Sequence, residues 1–305
     1  MILRIGTRGS KLALVQSEWV KRELQTRYPE VRVELVKIKT KGDKILDAPL
    51  SKVGGKGLFV KEIEDALLKG DVDLAVHSMK DVPAELQRGL RLSAYPKRED
   101  PRDAFVSRQF KTIEDLPQGA LVGTSSLRRS AQLLHMRPDL RIVPLRGNVD
   151  TRLRKLDSGD LQAIVLATAG LRRLGLSDRI TATLSPDSVL PAIGQGVLGL
   201  ESREDDQQAQ NLVASLNDLE TELATRAERA LLKELEGGCQ VPLAGYARVE
   251  GDRVVLDGMV AELDGSVVLR RQLTGGKDKP EELGIALARQ LKAAGADRIL
   301  GKIYG

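Results

Sequence analysis

The feature that most constrains the fold of this 305-residue chain is an order of elements that occurs twice. Residues 3–13 have the pattern of a short strand, a turn with Gly, Thr and Ser, and the start of an amphipathic helix that continues to about Arg27. Residues 121–130 repeat this order. Because strands that alternate with helices form mainly parallel sheets, the repeat predicts two similar α/β lobes. Short matches of this kind also occur in any chain of βαβ units, so that explanation stays open.

Changes of pattern along the chain predict where domains begin and end. Residues 95–101 and 188–196 are punctuated by Pro or Gly and are expected to be crossings between the lobes. From about Leu219 the pattern changes to a helix, a glycine turn, alternating strands and a last helix, which is typical of a small α+β domain. The expected domains are a first lobe at 1–96 with 197–216, a second lobe at 97–196 and a C-terminal domain at 217–305.

Charge and composition exclude several classes of function. The net charge is +5, but aromatic residues make up only 3% of the chain, so few bases could be stacked and a nucleic-acid partner is not expected. One cysteine and two histidines, His77 and His135, supply neither a disulfide nor the clustered ligands of a zinc site. The start has no secretory pattern and no apolar run approaches membrane-spanning length, so we expect a cytoplasmic protein without a membrane partner.

Both repeated turns have the residue types of an anion site. Backbone N–H groups are free where a helix begins, and the positive end of the helix dipole favours negative charge there. The first turn adds Arg8 and Ser10; the second places Thr124 and Ser126 before Arg128 and Arg129, which can form bidentate bonds to carboxylates. The alternative is that Ser10 and Ser126 only cap helices while the arginines face water.

Asp81 and Cys239 are the single residues with the most chemical interest. Asp81 follows an apolar strand at the edge where open α/β sheets bind ligands, although an Asp before Val82-Pro83 also suits a helix start. Cys239 follows two glycines in a predicted turn, although a lone cysteine is usually buried and inert.

Two familiar catalytic patterns are absent. Residues 52–57 contain glycines and lysines but lack the spacing of a phosphate-binding loop, so they are interpreted as a basic flap or an ordinary surface loop. No GxSxG elbow surrounds Ser78, which argues against a serine hydrolase.

Taken in order, seven motifs make the whole chain resemble the porphobilinogen deaminase family. The motifs are Gly6-Thr-Arg-Gly-Ser10, Lys52-Val-Gly-Gly-Lys-Gly-Leu-Phe59, Ala75-Val-His-Ser-Met-Lys-Asp-Val-Pro83, Gly123-Thr-Ser-Ser-Leu-Arg-Arg129, Leu145-Arg-Gly-Asn148, Pro191-Ala-Ile-Gly-Gln-Gly196 and Glu236-Gly-Gly-Cys-Gln-Val-Pro242. The resemblance implies two lobes like those of type II periplasmic binding proteins, with mixed sheets forming a cleft, and a small C-terminal α+β domain.

The resemblance also implies the reaction. Four porphobilinogen molecules are added in turn to a dipyrromethane primer, each with loss of ammonia, and hydrolysis then releases hydroxymethylbilane. The primer is expected to be held by a thioether to Cys239. No metal is implied, the partners are porphobilinogen and the growing polypyrrole, and the protein is expected to be a monomer.

Motif by motif, the resemblance assigns roles to individual residues. Asp81 is the expected catalytic carboxylate, because a carboxylate can stabilise the cation formed when ammonia leaves and can carry protons. The expected primer contacts are Lys80, Asp81, Thr124, Ser126, Arg128, Arg129 and Arg146. The expected substrate contacts are Arg8, Ser10, Arg146, Arg152, Arg173 and Gln195, with Lys52, Lys56 and Phe59 on the flap.

Two rivals from other classes remain at this point. A two-lobed anion-binding protein without catalytic activity would have no use for Cys239, so thiol titration and intact mass distinguish it from the enzyme. A basic nucleic-acid binder would retain oligonucleotides in a salt-dependent way.

Overall fold

The computed structural model describes residues 1–44, 57–236 and 241–304. The chain forms two compact units, one of residues 1–99 with 197–222 and the other of residues 100–196 with 223–305. The expected division into three domains stays a prediction.

The strands are β1 Ile2–Arg8, β2 Arg32–Ile38, β3 Leu74–Ser78, β4 Leu90–Ala94, β5 Asp103–Ser107, β6 Leu121–Gly123, β7 Arg141–Val143, β8 Ala163–Ala167, β9 Ala182–Thr183, β10 Leu198–Arg203, β11 Leu243–Glu250, β12 Arg253–Ala261 and β13 Val268–Gly276. The α-helices are α1 Lys11–Arg27, α2 Lys41–Lys44, α3 Lys61–Leu68, α4 Leu127–Met136, α5 Val149–Asp157, α6 Thr168–Arg173, α7 Gln207–Ala214, α8 Leu219–Glu234, α9 Pro280–Ala293 and α10 Ala296–Tyr304.

The first unit is built on a five-stranded mixed sheet with the order β2-β1-β3-β10-β4. Strands β2, β1 and β3 are parallel, whereas β10 is antiparallel to both of its neighbours. Helix α1 covers one face through Val20 and Leu24, which pack with Leu3 and Ile5 of β1. Helix α3 covers the other face, where Ile63 packs with Ala75 of β3 and Leu90 of β4. Apolar residues on both faces explain why β1 and β3 are so apolar in sequence.

The second unit contains a sheet of the same design, with the order β7-β6-β8-β5-β9. Its first three strands are parallel, and β5 is antiparallel to both β8 and β9. In both sheets the fourth strand in this order, β10 or β5, is the first strand after the chain crosses over from the other unit. The shared strand order confirms the prediction of two similar α/β lobes from the repeated sequence.

A three-stranded antiparallel sheet, β11-β12-β13, forms the C-terminal part of the second unit. Helices α8 and α9 cover it, with Leu231 and Leu287 fully buried between helices and strands. The hairpin turn between β12 and β13 contacts α4. His135 Nδ1 of α4 lies 2.9 Å from the carbonyl oxygen of Gly265 in that turn. Gly265 has a φ of +73°, and a Cβ there would meet the backbone of α4. The C-terminal sheet is therefore attached to the helix that carries Arg128 and Arg129.

Candidate active site

A pocket of about 60 Å³ lies in the first unit at the carboxyl ends of β1 and β3. Carboxyl ends of parallel strands are where open α/β sheets place ligands. Ligand pockets for whole organic molecules usually measure roughly 300–1,000 Å³, so this one suits a single small group such as a carboxylate. Four residues that the sequence predicted for the site line it: Arg8, Ser10, Phe59 and Asp81.

Arg8 and Phe59 form the cationic side of this pocket. Arg8 is the last residue of β1, and its Cζ lies 4.1 Å from the centre of the Phe59 ring. An aromatic face at this distance attracts a guanidinium and restricts its orientation. The contact brings a predicted substrate residue together with a predicted flap residue. The two other predicted flap residues, Lys52 and Lys56, lie outside the described residues.

Ser10 caps α1, as one of the two sequence interpretations expected. Its Oγ accepts a hydrogen bond of 3.3 Å from the backbone N–H of Ala13, and a hydroxyl used in this way can still donate to a ligand. Ser126 is the N-cap residue directly before α4, and its side chain makes no capping bond among the described residues. Its backbone N–H instead donates to Thr124 Oγ1 at 3.2 Å. The two repeated turns are therefore alike in backbone position and different in their side-chain bonds.

Asp81 is the last residue of a short 3-10 helix, Met79–Asp81, that directly follows β3. The residue just before β10 holds this turn, because the backbone N–H of Met79 donates to the carbonyl oxygen of Val197 at 3.0 Å. Asp81 is half-buried, and the described residues give its carboxylate no recorded hydrogen-bond or ion-pair partner. A carboxylate in this setting can accept protons or stabilise a positive charge. Lys80 of the same turn does not line the pocket.

Arg128 and Arg129 converge on one buried carboxylate in the second unit. Asp103, the first residue of β5, accepts bonds from Arg128 Nη1 at 2.7 Å and from Arg129 Nη2 at 2.7 Å. Gln195 Nε2 also donates to Asp103, at 2.9 Å. Asp103 is fully buried, and the two arginines are 4% and 6% exposed. Three residues that the sequence predicted to bind primer or substrate therefore share a partner that it did not predict.

Charge explains how these groups are stable away from water. Burial alone would raise the pKa of Asp103, but Arg128 and Arg129 outweigh it and hold that pKa far below its ordinary value. Burial lowers the pKa of Arg128, although Asp103 opposes this. Two guanidiniums and one carboxylate leave one net positive charge. Arg128 Nε is buried without a hydrogen-bond partner among the described residues.

The remaining predicted residues lie elsewhere in the second unit. Arg152 Nε donates to the carbonyl oxygen of Gly147 at 2.8 Å, and Arg173 Nη2 donates to that of Gly196 at 2.7 Å. Arg146 is half-buried in the loop between β7 and α5. Cys239 lies outside the described residues, between the described ends of α8 and β11.

Some site residues were missed in the sequence. Asp103 was missed because nothing local shows that an Asp at the start of a strand will meet two arginines 25 and 26 positions later. Gln16 and Ser78 line the pocket and are joined by a 3.1 Å hydrogen bond.

Two further searches cover the described ranges only. Within them, no three His, Cys, Asp or Glu side chains are grouped so that they could hold a metal ion. Every described helix falls short of the length and apolar character needed to cross a bilayer.

Comparison with known proteins gives matches over nearly the whole chain. Residues 3–211 match the family model "Porphobilinogen deaminase, dipyromethane cofactor binding domain", and residues 222–293 match "Porphobilinogen deaminase, C-terminal domain". A porphobilinogen deaminase of Syntrophotalea carbinolica is 58% identical over 301 residues, covering 99% of this chain and 96% of the relative. One of Geobacter metallireducens is 57% identical over 302 residues, covering 99% and 95%. A solved periplasmic substrate-binding protein of an ABC transporter from Coxiella burnetii gives a TM-score of 0.44 at 18% identity, covering 70% of this chain and 91% of that one.

Proposed function

This chain belongs to the porphobilinogen deaminase family, and we propose that Asp81 is its catalytic carboxylate and Cys239 the anchor of its primer. The activity is that of a hydroxymethylbilane synthase in tetrapyrrole biosynthesis, and residues 3–211 correspond to the family's dipyrromethane-binding region. The observation that carries the proposal for Asp81 is its place in the pocket beside Arg8. A monomeric state and a cytoplasmic location stay predictions of the sequence.

The residues of the second unit fit an acidic primer. Pyrroles of this pathway carry acetate and propionate groups, and the group formed by Asp103, Arg128 and Arg129 has one net positive charge. Charge-assisted bonds from arginine to carboxylate are among the stronger hydrogen bonds in proteins. Dipyrromethane, when bound, would supply the pyrrole carbon to which the first substrate is joined. We assign Thr124, Ser126, Arg128, Arg129 and Arg146, with Lys80 of the first unit, to holding its polar groups.

Arg8, Ser10 and Phe59 bind a substrate carboxylate in this proposal. Arg8 supplies the charge, Ser10 a hydroxyl, and the Phe59 ring keeps the guanidinium in place. The size of the pocket agrees with one carboxylate rather than a whole pyrrole. Arg146, Arg152, Arg173 and Gln195 bind the carboxylates of the lengthening product, and Lys52 and Lys56 belong to a basic flap.

Asp81 performs the chemistry. Loss of ammonia from porphobilinogen leaves a positive charge on the substrate, and a nearby carboxylate lowers the energy of that state. The same carboxylate then accepts the proton that the carbon of the attacking terminal pyrrole must lose once the new bond has formed. Its freedom from partners among the described residues supports this double role, because a carboxylate engaged in a strong ion pair would be a poorer base.

Turnover of porphobilinogen by Asp81→Ala tests the catalytic assignment. We expect a loss of about 10²-fold or more, the usual scale for acid-base and electrostatic groups. Asp71→Ala is a matched control, since Asp71 is exposed in the same unit. Near-normal turnover by Asp81→Ala would remove Asp81 from the mechanism.

Intact-protein mass spectrometry tests the anchor. Active wild-type protein should exceed the mass of its sequence by one dipyrromethane, whereas Cys239→Ser should have the mass of its sequence alone. An unmodified mass in active wild-type protein would contradict the attachment at Cys239.

A further inference from the structure

Three titratable side chains are buried on the face of the first sheet that α3 covers. They are His77 of β3, Glu201 of β10 and Glu64 of α3, and each is no more than 5% exposed. No step proposed above uses them. Buried ionisable groups are costly to keep, so their place next to the pocket requires a reason.

His77 and Glu201 form a direct link between two strands. His77 Nε2 lies 2.8 Å from Glu201 Oε2. The strands are antiparallel, with His77 opposite Gly199 and Ala75 opposite Glu201, so the two side chains are diagonal neighbours on one face. Diagonal pairs are within reach of long side chains. The link therefore fixes β3 to β10 near the carboxyl end of β3.

Glu64 completes the group from the helix above. Gln87 Nε2 donates to Glu64 Oε2 at 2.9 Å, while Glu64 Oε1 and Glu201 Oε1 have no hydrogen-bond partner among the described residues. Burial raises the pKa of Glu64, and the charge of Glu201 raises it further. Within this group, the 2.8 Å contact makes His77 and Glu201 direct partners.

The linked strands lie directly beneath the turn that carries Asp81. His77 lines the same pocket as Asp81, and only Ser78 separates it from the turn Met79–Asp81. Leu198 of β10 pairs with Ser78, and the carbonyl oxygen of Val197 accepts the hydrogen bond from the backbone N–H of Met79. A Cβ on Gly199 would overlap the sulfur of Met79, so the turn packs closely on β10. A displacement between β3 and β10 would thus move Asp81.

We propose that His77 and Glu201 are positioning residues that hold the Asp81 carboxylate in its catalytic place. The hydrogen bond between them fixes the two strands from which the Asp81 turn emerges. The inference rests on the proposed catalytic role of Asp81. Glu201 does not line the pocket, and His77, which does, acts in this proposal through Glu201 and the turn rather than by binding substrate or primer. Loss of either residue should therefore slow the chemical step while substrate affinity and primer attachment stay close to those of wild type.

Variants at the two linked positions test this inference. His77→Ala and Glu201→Ala remove the link, whereas His77→Gln keeps an N–H donor near the position of Nε2 and Glu201→Gln keeps a carbonyl acceptor. His135→Ala is the matched control, because it removes the other histidine, which bonds to Gly265 in the second unit. For each purified protein we would measure kcat and KM for porphobilinogen, the intact mass and the thermal unfolding curve.

The expected result is a selective loss of kcat. His77→Ala and Glu201→Ala should lose about tenfold to 10²-fold in kcat, the scale of a small misplacement at a reacting centre, with KM within about twofold and the primer mass retained. The two glutamine variants should recover most of kcat, and His135→Ala should match wild type. If His77→Ala does not fold, the two Glu201 variants give the same comparison.

Other results would overturn the inference. Folded His77→Ala with wild-type kcat would do so, as would glutamine variants that are no better than alanine variants, or a kcat loss that follows loss of primer mass. Asp81→Asn measured in parallel separates the two proposals. Normal turnover by Asp81→Asn contradicts the role of Asp81, whereas a strong loss there with unaffected His77 and Glu201 variants contradicts only the positioning role.

Discussion

Replacing Asp103 with Asn should destabilise the second unit strongly. The carboxylate is fully buried and accepts bonds of 2.7 Å from each of Arg128 and Arg129 and of 2.9 Å from Gln195. An asparagine of the same shape removes the charge and leaves two buried guanidiniums beside a neutral amide. Removing one partner of a buried ion pair costs about 3–5 kcal/mol, because the remaining charge has no compensation.

The cost can be measured by thermal unfolding. A change of 1 kcal/mol shifts the melting temperature of a domain of 150–250 residues by roughly 2–4 °C, so Asp103→Asn should melt roughly 6–20 °C lower. The matched control is Asp157→Asn, which breaks a 2.7 Å ion pair with Arg179 in the same unit. That pair is 46% exposed at Asp157, and an exposed pair contributes at most about 1 kcal/mol. Equal shifts for the two variants would refute the reasoning from burial.

The same variant should have a defined pH dependence. The pKa of Asp103 is lower in the folded protein than in the unfolded chain, because Arg128 and Arg129 outweigh the effect of burial. Its contribution to stability is therefore complete above the unfolded pKa of about 3.9 and is lost as the pH falls below it. The difference between wild type and Asp103→Asn should be constant from about pH 5 to 8 and should shrink below about pH 4. A difference that grows on acidification would contradict this assignment of charge.

Three other changes have effects that follow from single contacts. Phe59→Leu removes the aromatic ring whose centre lies 4.1 Å from Arg8 Cζ. Because an exposed cation–π contact contributes about 0.5–1 kcal/mol, this variant should raise KM by about two- to fivefold at nearly constant kcat. An unchanged KM in steady-state assays would show that the contact does not matter for substrate binding. Glu64→Gln should reduce the loss of stability as the pH rises above about 4.3, the unfolded pKa, because burial raises the folded pKa of Glu64 above that value. If denaturant unfolding shows that the stability of wild type and of Glu64→Gln changes with pH in the same way, the prediction is wrong. Gly265→Ala should lower the free energy of unfolding by about 1–3 kcal/mol, because φ is +73° and the new Cβ would meet the backbone of α4. Gly251→Ala, also at positive φ but with open space around it, should cost less, and equal losses would argue against the clash.

The sequence predicted the elements whose patterns are local. Helix α1 ends at Arg27 and α8 begins at Leu219, as expected from the periodicity of apolar residues. The repeated turn also placed Arg8 and Ser10 at one sheet edge in advance. Both interpretations of Ser10 remain compatible, since it caps α1 and lines the pocket.

Non-local partners could not be predicted in this way. Which carboxylate meets Arg128 depends on β5 lying antiparallel beside β8, and nothing in the residues around Asp103 indicates that pairing. The link between His77 and Glu201 joins residues 124 positions apart. The alternation of β3 turns His77 toward α3 and β10, and the residues around it in sequence do not indicate which carboxylate it meets there.

The position of β10 in the first sheet bears on how the protein is made. Strand β10 lies between β3 and β4 and supports the Asp81 turn, yet it is encoded more than a hundred residues after that turn. A ribosome adds about 5–20 residues per second, so the growing chain has no β10 for on the order of ten seconds after Asp81 is synthesised. During that interval β3 has a free edge exposed to other chains. A nascent chain that ends before about residue 203 therefore cannot complete the sheet beneath the Asp81 turn, and its open strand edge can pair with other chains until β10 is made.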